Sequence, residues 1–307
     1  GQEVLVPAGF ITSTAPDGAL LIHPGGDASA PPSGHLPTGG YFFDTIVRQE
    51  PIDEEALDPA DNLEEFTPIP PEELDRLADR ADALATQTEY AVVGSFGGTS
   101  FGDIALVPAP FLKYPKGIRD IEEWYVSTTA RRDYVRRVFE GQCEIALENL
   151  ARMWGAVGDR VQVVFVTGTD FGTQRGPFCS PESYRDLFKP FHARINDWIH
   201  THTHWLTFCH SCGGVEPLIE DFIEAGFDIL NPVQCSAEGM DAAHLKKCYG
   251  DRITFWGGAV DTQSTLPFGT PSAVRNEVLE RLRVFAPGGG FVFNAVHNIQ
   301  ARTPATN

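Results

Sequence analysis

Positive charge is scarce in this sequence of 307 residues. Lysine and arginine together number 23 against 42 aspartates and glutamates, so the formal net charge is −19 at pH 7. A chain this acidic repels phosphate backbones, which argues against a nucleic-acid-binding protein. No apolar run reaches the roughly 18 residues that a membrane-spanning helix needs, and no basic-then-apolar leader opens the sequence. We therefore expect a protein that works without nucleic acid and outside membranes.

Cysteines and nucleotide-binding glycine motifs are also scarce. A chain of 307 residues can bury about three-quarters of its unfolded surface and needs no disulfides to hold a core. Its six cysteines are therefore interpreted as reduced thiols of a cytoplasmic protein. No G-x-G-x-x-G or G-x-x-x-x-G-K-[ST] motif follows an apolar run, so the usual nucleotide-binding sheets have no support.

From residue 90 onward, short apolar runs alternate with amphipathic helices. The runs lack polar alternation, as strands covered on both faces do, and they are Tyr90–Phe96, Val161–Thr167, Trp205–His210, Phe227–Asn231, Ile253–Trp256 and Gly290–Ala295. Helix start signals, Ser180-Pro181 and Thr270-Pro271, lie between them. The first predicts one amphipathic helix whose apolar face runs from Tyr184 to Ile199. This βα repeat predicts an α/β fold. Polar residues at the ends of the runs favour a TIM (β/α)8-type barrel over an open doubly wound sheet.

We predict one barrel domain over residues 1–307. Residues 1–50 would form a hairpin and loop insert over the barrel, with extended runs at Glu3–Ile11 and Ala19–His23. Residues 51–89 would form an acidic connection and a helix, and residues 90–307 the strands with their helices. Since only six strands are visible and little sequence follows the last one, we expect a piece of a longer protein. It would lack the first strands and the last helix of the barrel.

A possible metal site lies in the segment Phe208-Cys209-His210-Ser211-Cys212-Gly213-Gly214. Alternate residues of a strand share a face, so His210 and Cys212 point the same way, and both are zinc-ligand types. His297 ends the last strand and would reach the same barrel mouth. Two histidines and one cysteine with an open fourth position are typical of catalytic zinc, so we predict zinc at these three residues. The competing interpretation is that they only fill the barrel, and Cys235 is either an alternative sulfur ligand or a packed side chain.

Polar and aromatic residues at the other strand ends are predicted to complete the site. Asp170 is interpreted as a general base, as a partner that orients a zinc-bound histidine, or as an exposed loop residue. Asp261 would contact substrate or cap a helix. Asp170 and His297 are the predicted catalytic residues. The predicted substrate-binding residues are Phe96, Gln174, Asn231, Gln234 and Asp261.

Several of these segments resemble the uroporphyrinogen decarboxylase superfamily. They are Asp170–Gln174, Ser180-Pro181-Glu182, Phe208–Gly214, Ile229–Gln234, Trp256-Gly257-Gly258 and His297–Gln300. The resemblance covers residues 90–307 and, more loosely, the first 50. It implies a TIM barrel whose third to eighth strands are the six runs, with the first two upstream of Gly1. The superfamily contains metal-free porphyrinogen decarboxylases and cobalamin-dependent methyltransferases, which bind zinc through a His-x-Cys and a later Cys.

The sequence is similar to the methyltransferase branch. His210 and Cys212 match the zinc-ligand pair, where decarboxylases tend to have Ser and Ala, and His297 stands where the methyltransferases place their third ligand, a cysteine. The 307 residues contain no Asp-x-His-x-x-Gly corrinoid signature, so the resemblance implies a separate corrinoid partner protein. The predicted function is zinc-dependent methyl transfer between that protein and a small-molecule thiol or oxygen substrate. The alternatives are a metal-free uroporphyrinogen-type decarboxylase of a tetrapyrrole or polycarboxylate, and a barrel that only binds a ligand or partner.

Overall fold

A computed structural model describes residues 5–307 of the chain. Its strands are β1 (Phe10–Thr14), β2 (Leu20–Pro24), β3 (Gly34–Leu36), β4 (Asp44–Thr45), β5 (Val93–Gly94), β6 (Val163–Thr167), β7 (Gly172–Thr173), β8 (Gly176–Pro177), β9 (Leu206–His210), β10 (Ile229–Asn231), β11 (Thr254–Trp256) and β12 (Phe291–Val292). Its α-helices are α1 (Pro71–Gln87), α2 (Ile121–Ala130), α3 (Arg132–Val157), α4 (Pro181–Leu187), α5 (Lys189–His202), α6 (Glu216–Glu224), α7 (Ala242–Tyr249), α8 (Thr265–Phe268) and α9 (Pro271–Phe285).

These elements belong to two compact units. One unit comprises the described residues up to Thr67 together with Gly102–Gln142. The other comprises Pro68–Phe101 and Cys143–Asn307, and it contains all the residues of the candidate site. Within residues 5–307, none of the helices combines the length and the apolar character that crossing a bilayer requires.

The second unit is built on a parallel six-stranded sheet. Its strand order is β12-β11-β10-β9-β6-β5, and each neighbouring pair is parallel. The curled sheet and its helices form a partial TIM barrel, which confirms the predicted fold class. Each of the six predicted runs contains a strand, but the hydrogen-bonded part is shorter than the apolar run. Four strands, β6, β9, β10 and β11, end at the last residue of their runs, so the residues left outside the ladder precede these strands.

Alternate residues divide each strand between two packed layers. On one face, Val163, Phe208 and Ile229 form a buried cluster, against which Phe165 and Trp256 pack. The side chains of the intervening residues point to the other face and are almost fully buried, as for Val164, Val166, Cys209, Leu230 and Phe255. His210 and Asn231 follow Phe208 and Ile229 by two residues, so they share the face of the first cluster.

The predicted helix start at Ser180-Pro181 is confirmed, but the single helix expected after it is wrong. The Ser180 side chain accepts a hydrogen bond from the Ser183 N–H and caps α4. The helix ends at Leu187, and α5 begins at Lys189. Pro190 follows immediately, and a proline has no N–H to continue the hydrogen-bond ladder of α4.

The first unit begins with the predicted hairpin. β1 and β2 pair antiparallel, with Thr14 opposite Leu20, and β3 and β4 extend them to a four-stranded sheet. The first strand runs from Phe10 to Thr14, so its prediction at Glu3–Ile11 is wrong over most of its length. Its first two residues lie outside the described part of the chain. Pro7 accounts for the late start, because its carbonyl closes a turn with the Phe10 N–H at 3.2 Å.

Candidate functional site

The register of β9 and β10 places His210 beside Asn231. The two residues are paired across the parallel strands, and His210 Nδ1 lies 2.6 Å from Asn231 Oδ1. The amide nitrogen of Asn231 donates to the Trp256 carbonyl oxygen at 2.8 Å. A carbonyl oxygen only accepts hydrogen bonds, so this contact fixes the orientation of the amide. Asn231 therefore presents its oxygen to His210.

The protonation pattern of His210 follows from this contact. Because Nδ1 faces an acceptor, it carries the hydrogen of the neutral ring, and Nε2 is left with a free lone pair. Nε2 lies 3.5 Å from Cys212 Sγ and 3.9 Å from Asp170 Oδ1. In the part of the chain that the structure describes, one ligand atom from each of these three side chains lies within 4.8 Å of the other two. We call Asp170, His210 and Cys212 the metal-ligand group.

Asp170 reaches this group because two loops touch backbone to backbone. It lies in the loop after β6, and its Oδ1 accepts a hydrogen bond from the Cys212 N–H at 2.7 Å. A Cβ on Gly172 would lie 2.4 Å from the Cys212 carbonyl oxygen, and a Cβ on Gly213 would lie 2.5 Å from the Gly172 carbonyl carbon. Gly213 also has a φ of 87°, which favours glycine. Only residues without a side chain allow the two loops to approach this closely.

Two glutamines fix the second loop from the other side. Gln234 is 4% exposed, and its oxygen accepts the Gly213 N–H at 3.0 Å. Its amide nitrogen donates to the side-chain oxygen of Gln174 at 2.9 Å. Gln174 is itself exposed. Both polar atoms of the Gln234 side chain therefore form hydrogen bonds within the protein. The amide nitrogen of the exposed Gln174 side chain is available to solvent.

The electrostatic surroundings of Cys212 favour the neutral thiol. Burial raises the pKa of Cys212 to about 12, and the neighbouring Asp170 carboxylate adds to the rise. Without a cation nearby, the thiol therefore holds its proton at neutral pH. A divalent metal ion reverses this preference, because its charge stabilises the thiolate. Metal binding at this site would thus release a proton.

The metal-ligand group borders a cleft of about 390 Å³. Asp170 and Cys212 line it directly, and the other lining residues are Gln174, Gln234, Asp261, Thr262, Gln263, Val296, His297 and Gln300. The volume lies within the range of small-molecule sites. The cleft lies past the carboxyl ends of β6, β9, β10 and β11, where TIM-barrel enzymes carry their active sites.

The three predicted zinc residues lie differently with respect to this cleft. His210 Nε2 is 3.5 Å from Cys212 Sγ, and of the three residues Cys212 and the exposed His297 line the cleft. His297 is not part of the metal-ligand group, in which Asp170 takes the third place. Cys235 is half-buried, and burial raises the pKa of its thiol to about 11. It does not belong to the group either.

The predicted substrate residues are also spread unevenly. Gln174, Gln234 and Asp261 line the cleft. One oxygen of Asp261 accepts the backbone N–H groups of Gln263 and Ser264, each at 2.7 Å, within the turn that precedes α8. Phe96 is not a lining residue of this cleft, and its ring packs 5.4 Å from that of Trp205.

Sequence reasoning missed two features of this site. It treated Asp170 as a base, an orienting group or a loop residue, and not as a member of the metal-ligand group. It also assigned Asn231 to substrate and not to His210. Two glycines in the sequence indicate the contact between the loops. Gly172 lies two positions after Asp170 and Gly213 directly follows Cys212, and residues without a side chain allow close backbone contact.

The donor set fits zinc in both chemistry and distance. Imidazole, thiolate and carboxylate are all zinc ligands, and tetrahedral zinc with ordinary bond lengths would separate the nitrogen and sulfur ligands by about 3.5 Å. The His210–Cys212 distance is 3.5 Å. The corresponding nitrogen–oxygen separation is about 3.4 Å, whereas His210 Nε2 and Asp170 Oδ1 are 3.9 Å apart. The remaining pair, the Asp170 oxygen and Cys212 Sγ, lies within 4.8 Å.

Comparisons with known proteins identify a family and a similar fold. A family model described as uroporphyrinogen decarboxylase (URO-D) matches residues 109–307. A methyltransferase from Methanosarcina mazei superposes with a TM-score of 0.55 at 18% identity, over 80% of this chain and 65% of that one. The chain thus spans 65% of the length of that enzyme, and at this identity the likeness shows the fold alone.

Two further comparisons add little. Endo-glycoceramidase II from a Rhodococcus species, solved as a cellobiose-like imidazole complex, superposes with a TM-score of 0.38 at 17% identity, over 76% of this chain and 63% of that one. A comparison with curated protein sequences finds no match.

Proposed function

Because the chain belongs to the uroporphyrinogen decarboxylase family, we propose that it is a zinc-dependent enzyme of the methyltransferase branch. It transfers a methyl group between a corrinoid-carrying partner protein and the thiol or hydroxyl of a small molecule. One observation carries the proposal. The free lone pair of His210 Nε2, the Cys212 thiol and the Asp170 carboxylate lie within 4.8 Å of one another at the edge of a cleft.

The residues of the group have distinct roles in this proposal. His210 offers Nε2, Cys212 its thiolate and Asp170 one carboxylate oxygen, so the substrate can take a fourth position. When bound, zinc supplies a Lewis acid that favours the deprotonated form of a substrate thiol or hydroxyl. His297 lines the cleft without belonging to the group, and we assign it the exchange of a proton with the substrate.

The transfer itself is a nucleophilic substitution at the methyl carbon. The substrate sulfur or oxygen gives its electron pair to the methyl carbon, and the bond between that carbon and the donor breaks with its electron pair left on the donor. The substrate proton passes to His297 and then to water. The proposal assigns the corrinoid to a partner protein.

One property of the cleft favours methyl transfer over decarboxylation of a tetrapyrrole or polycarboxylate. Among the described residues that line it, none is lysine or arginine, the side chains that bind carboxylates best.

Metal analysis of the purified chain tests the proposal directly. We expect one zinc per chain and a loss of at least about tenfold in zinc affinity for both His210→Ala and Cys212→Ser. Cys248→Ser removes an exposed thiol elsewhere and serves as the matched control. Circular dichroism of each variant checks the fold.

Activity separates the two chemistries. The zinc-loaded chain is incubated with methylcobalamin and a panel of small thiols, and in parallel with a porphyrinogen. Methyl transfer that fails in His210→Ala supports the proposal. Zinc content and activity equal to wild type in both ligand variants would refute it, and release of carbon dioxide from the porphyrinogen without zinc would establish the decarboxylase alternative.

A further inference from the structure

The cleft beside the metal-ligand group offers negative charge and neutral amides. Within residues 5–307, its lining includes the carboxylates of Asp170 and Asp261 and contains neither lysine nor arginine. The side chains of Gln174, Gln263 and Gln300 are exposed there and supply hydrogen bonds without charge. An anionic group in this cleft would therefore meet carboxylates and no permanent cation; His297 is the one basic side chain among these lining residues.

A bound metal ion does not change the sign of this environment. With Nδ1–H donated to Asn231, His210 binds as a neutral ring. The two positive charges of zinc are then balanced by the Cys212 thiolate and the Asp170 carboxylate. Asp261 remains as an uncompensated charge of the lining.

Asp261 is held in its ionised form. Burial opposes ionisation, but hydrogen bonds from Ser236 and from the backbone of Ser264 and Gln263 outweigh it and lower the pKa of Asp261. The chain as a whole carries a net charge of −19, which adds a repulsive field for any approaching anion.

We infer that the small molecule bound in this cleft is uncharged or cationic, and that anionic analogues with the same reacting group are rejected. The inference rests on the proposed function, since it concerns the substrate of that same site. The amide-rich lining suits an ammonium, hydroxyl or amide group next to the reacting thiol or hydroxyl. A unit charge about 6 Å from another changes a binding constant by roughly threefold to a hundredfold, depending on solvent access.

Three small thiols of similar size provide the test. 2-Aminoethanethiol, 2-mercaptoethanol and 3-mercaptopropionate share the HS–CH2–CH2 group and end in a cation, a neutral hydroxyl and an anion. Their dissociation constants are measured by calorimetry on zinc-loaded and on metal-free protein at pH 7. We expect the cationic thiol to bind at least about tenfold more tightly than the anionic one, with the neutral thiol between them or equal to the cation.

A substitution at the cleft rim checks that charge is the cause. Gln300→Lys introduces a cation on an exposed lining residue, and Gln300→Met is the neutral control of similar length. The lysine variant should bind 3-mercaptopropionate several-fold more tightly than wild type, whereas the methionine variant should keep the wild-type order.

The outcomes for the inference and for the proposed function are separable. The order of the three thiols tests the inference, and the dependence of their binding on zinc tests the proposed function. If the thiols bind equally well with and without zinc, the result contradicts the proposed role of zinc. The order of the three dissociation constants still tests the inference about charge in that case. Tighter binding of the anionic thiol, or no binding of any of the three, overturns the inference.

Discussion

Removal of the Asn231 oxygen should weaken zinc binding without touching a ligand atom. In Asn231→Leu, Nδ1 of His210 loses the acceptor at 2.6 Å that keeps it protonated. The ring is then free to place its hydrogen on Nε2, which cannot bind a metal in that form. Loss of such a partner typically costs 10- to 100-fold in metal affinity, or about 1.4–2.7 kcal/mol.

The second hydrogen bond of Asn231 must be separated from the first. Its amide nitrogen satisfies the Trp256 carbonyl oxygen, so the leucine variant also leaves a buried acceptor unpaired, at about 1–3 kcal/mol of folding stability. Asn231→Asp is the matched control. It keeps an oxygen facing His210 and loses the donor to Trp256, so it shares the stability cost but retains the acceptor.

Competition with a chromophoric chelator gives the zinc affinity, and urea denaturation gives the free energy of unfolding. We expect both variants to lose stability and only Asn231→Leu to lose zinc affinity by tenfold or more. The His210 ring protons, followed by NMR in the metal-free protein, should report a changed tautomer in the leucine variant alone. Equal zinc affinities in Asn231→Leu and wild type would refute the assignment of Nε2 as the ligand atom.

Three further measurements test the site and the fold. Asp170→Asn should lower zinc affinity by at least about tenfold, whereas His297→Ala should keep zinc and lose turnover; the reverse pattern would return His297 to the role of third ligand. Gly172→Ala, whose Cβ would lie 2.4 Å from a backbone oxygen, should weaken zinc binding and cost about 1–3 kcal/mol of unfolding free energy. Gly155→Ala, in an open stretch of α3, is the control and should stabilise the chain by about 0.5–1 kcal/mol. Burial lowers the pKa of His192 from 6.5 to about 3. The unfolded chain therefore binds a proton that the folded chain does not, and stability falls as pH falls from 6.5, by ~2 kcal/mol at pH 5. His192→Phe should remove that part of the pH slope in denaturation curves, and an unchanged slope would show that the ring is protonated when folded.

The sheet was predictable because its strands are covered on both faces. Such strands form continuous apolar runs, and the six runs from Tyr90 to Ala295 each contain a strand of the parallel sheet. The helix boundaries were harder to predict. The apolar face from Tyr184 to Ile199 keeps its period through Phe188, and periodicity alone gives no break there. The break between α4 and α5 is caused by Pro190. Because proline lacks the N–H that would continue the hydrogen-bond ladder, the helix is interrupted although its apolar face is continuous.

The candidate site was predictable only as far as strand geometry reaches. His210 and Cys212 are two residues apart at a strand end, so alternation alone puts them on one face. The position of Asp170 depends on the path of a loop, which alternation does not encode. That path is set by contact between Gly172 and Gly213, residues 41 positions apart in sequence whose proximity appears only after folding.

The register of the strands determines which ring nitrogen of His210 is available to a metal ion. The Trp256 carbonyl on β11 orients the Asn231 amide on β10, and that amide orients the His210 ring on β9. Each step crosses one pair of neighbouring parallel strands. A slip of one residue between β9 and β10 would turn Asn231 to the opposite face and leave Nδ1 without its acceptor. The sheet therefore supplies the site with a defined tautomer of His210, which is the last residue of β9, whereas Cys212 and Asp170 come from the loops that follow β9 and β6. The end of a rigid barrel strand is suited to carry the histidine for this reason.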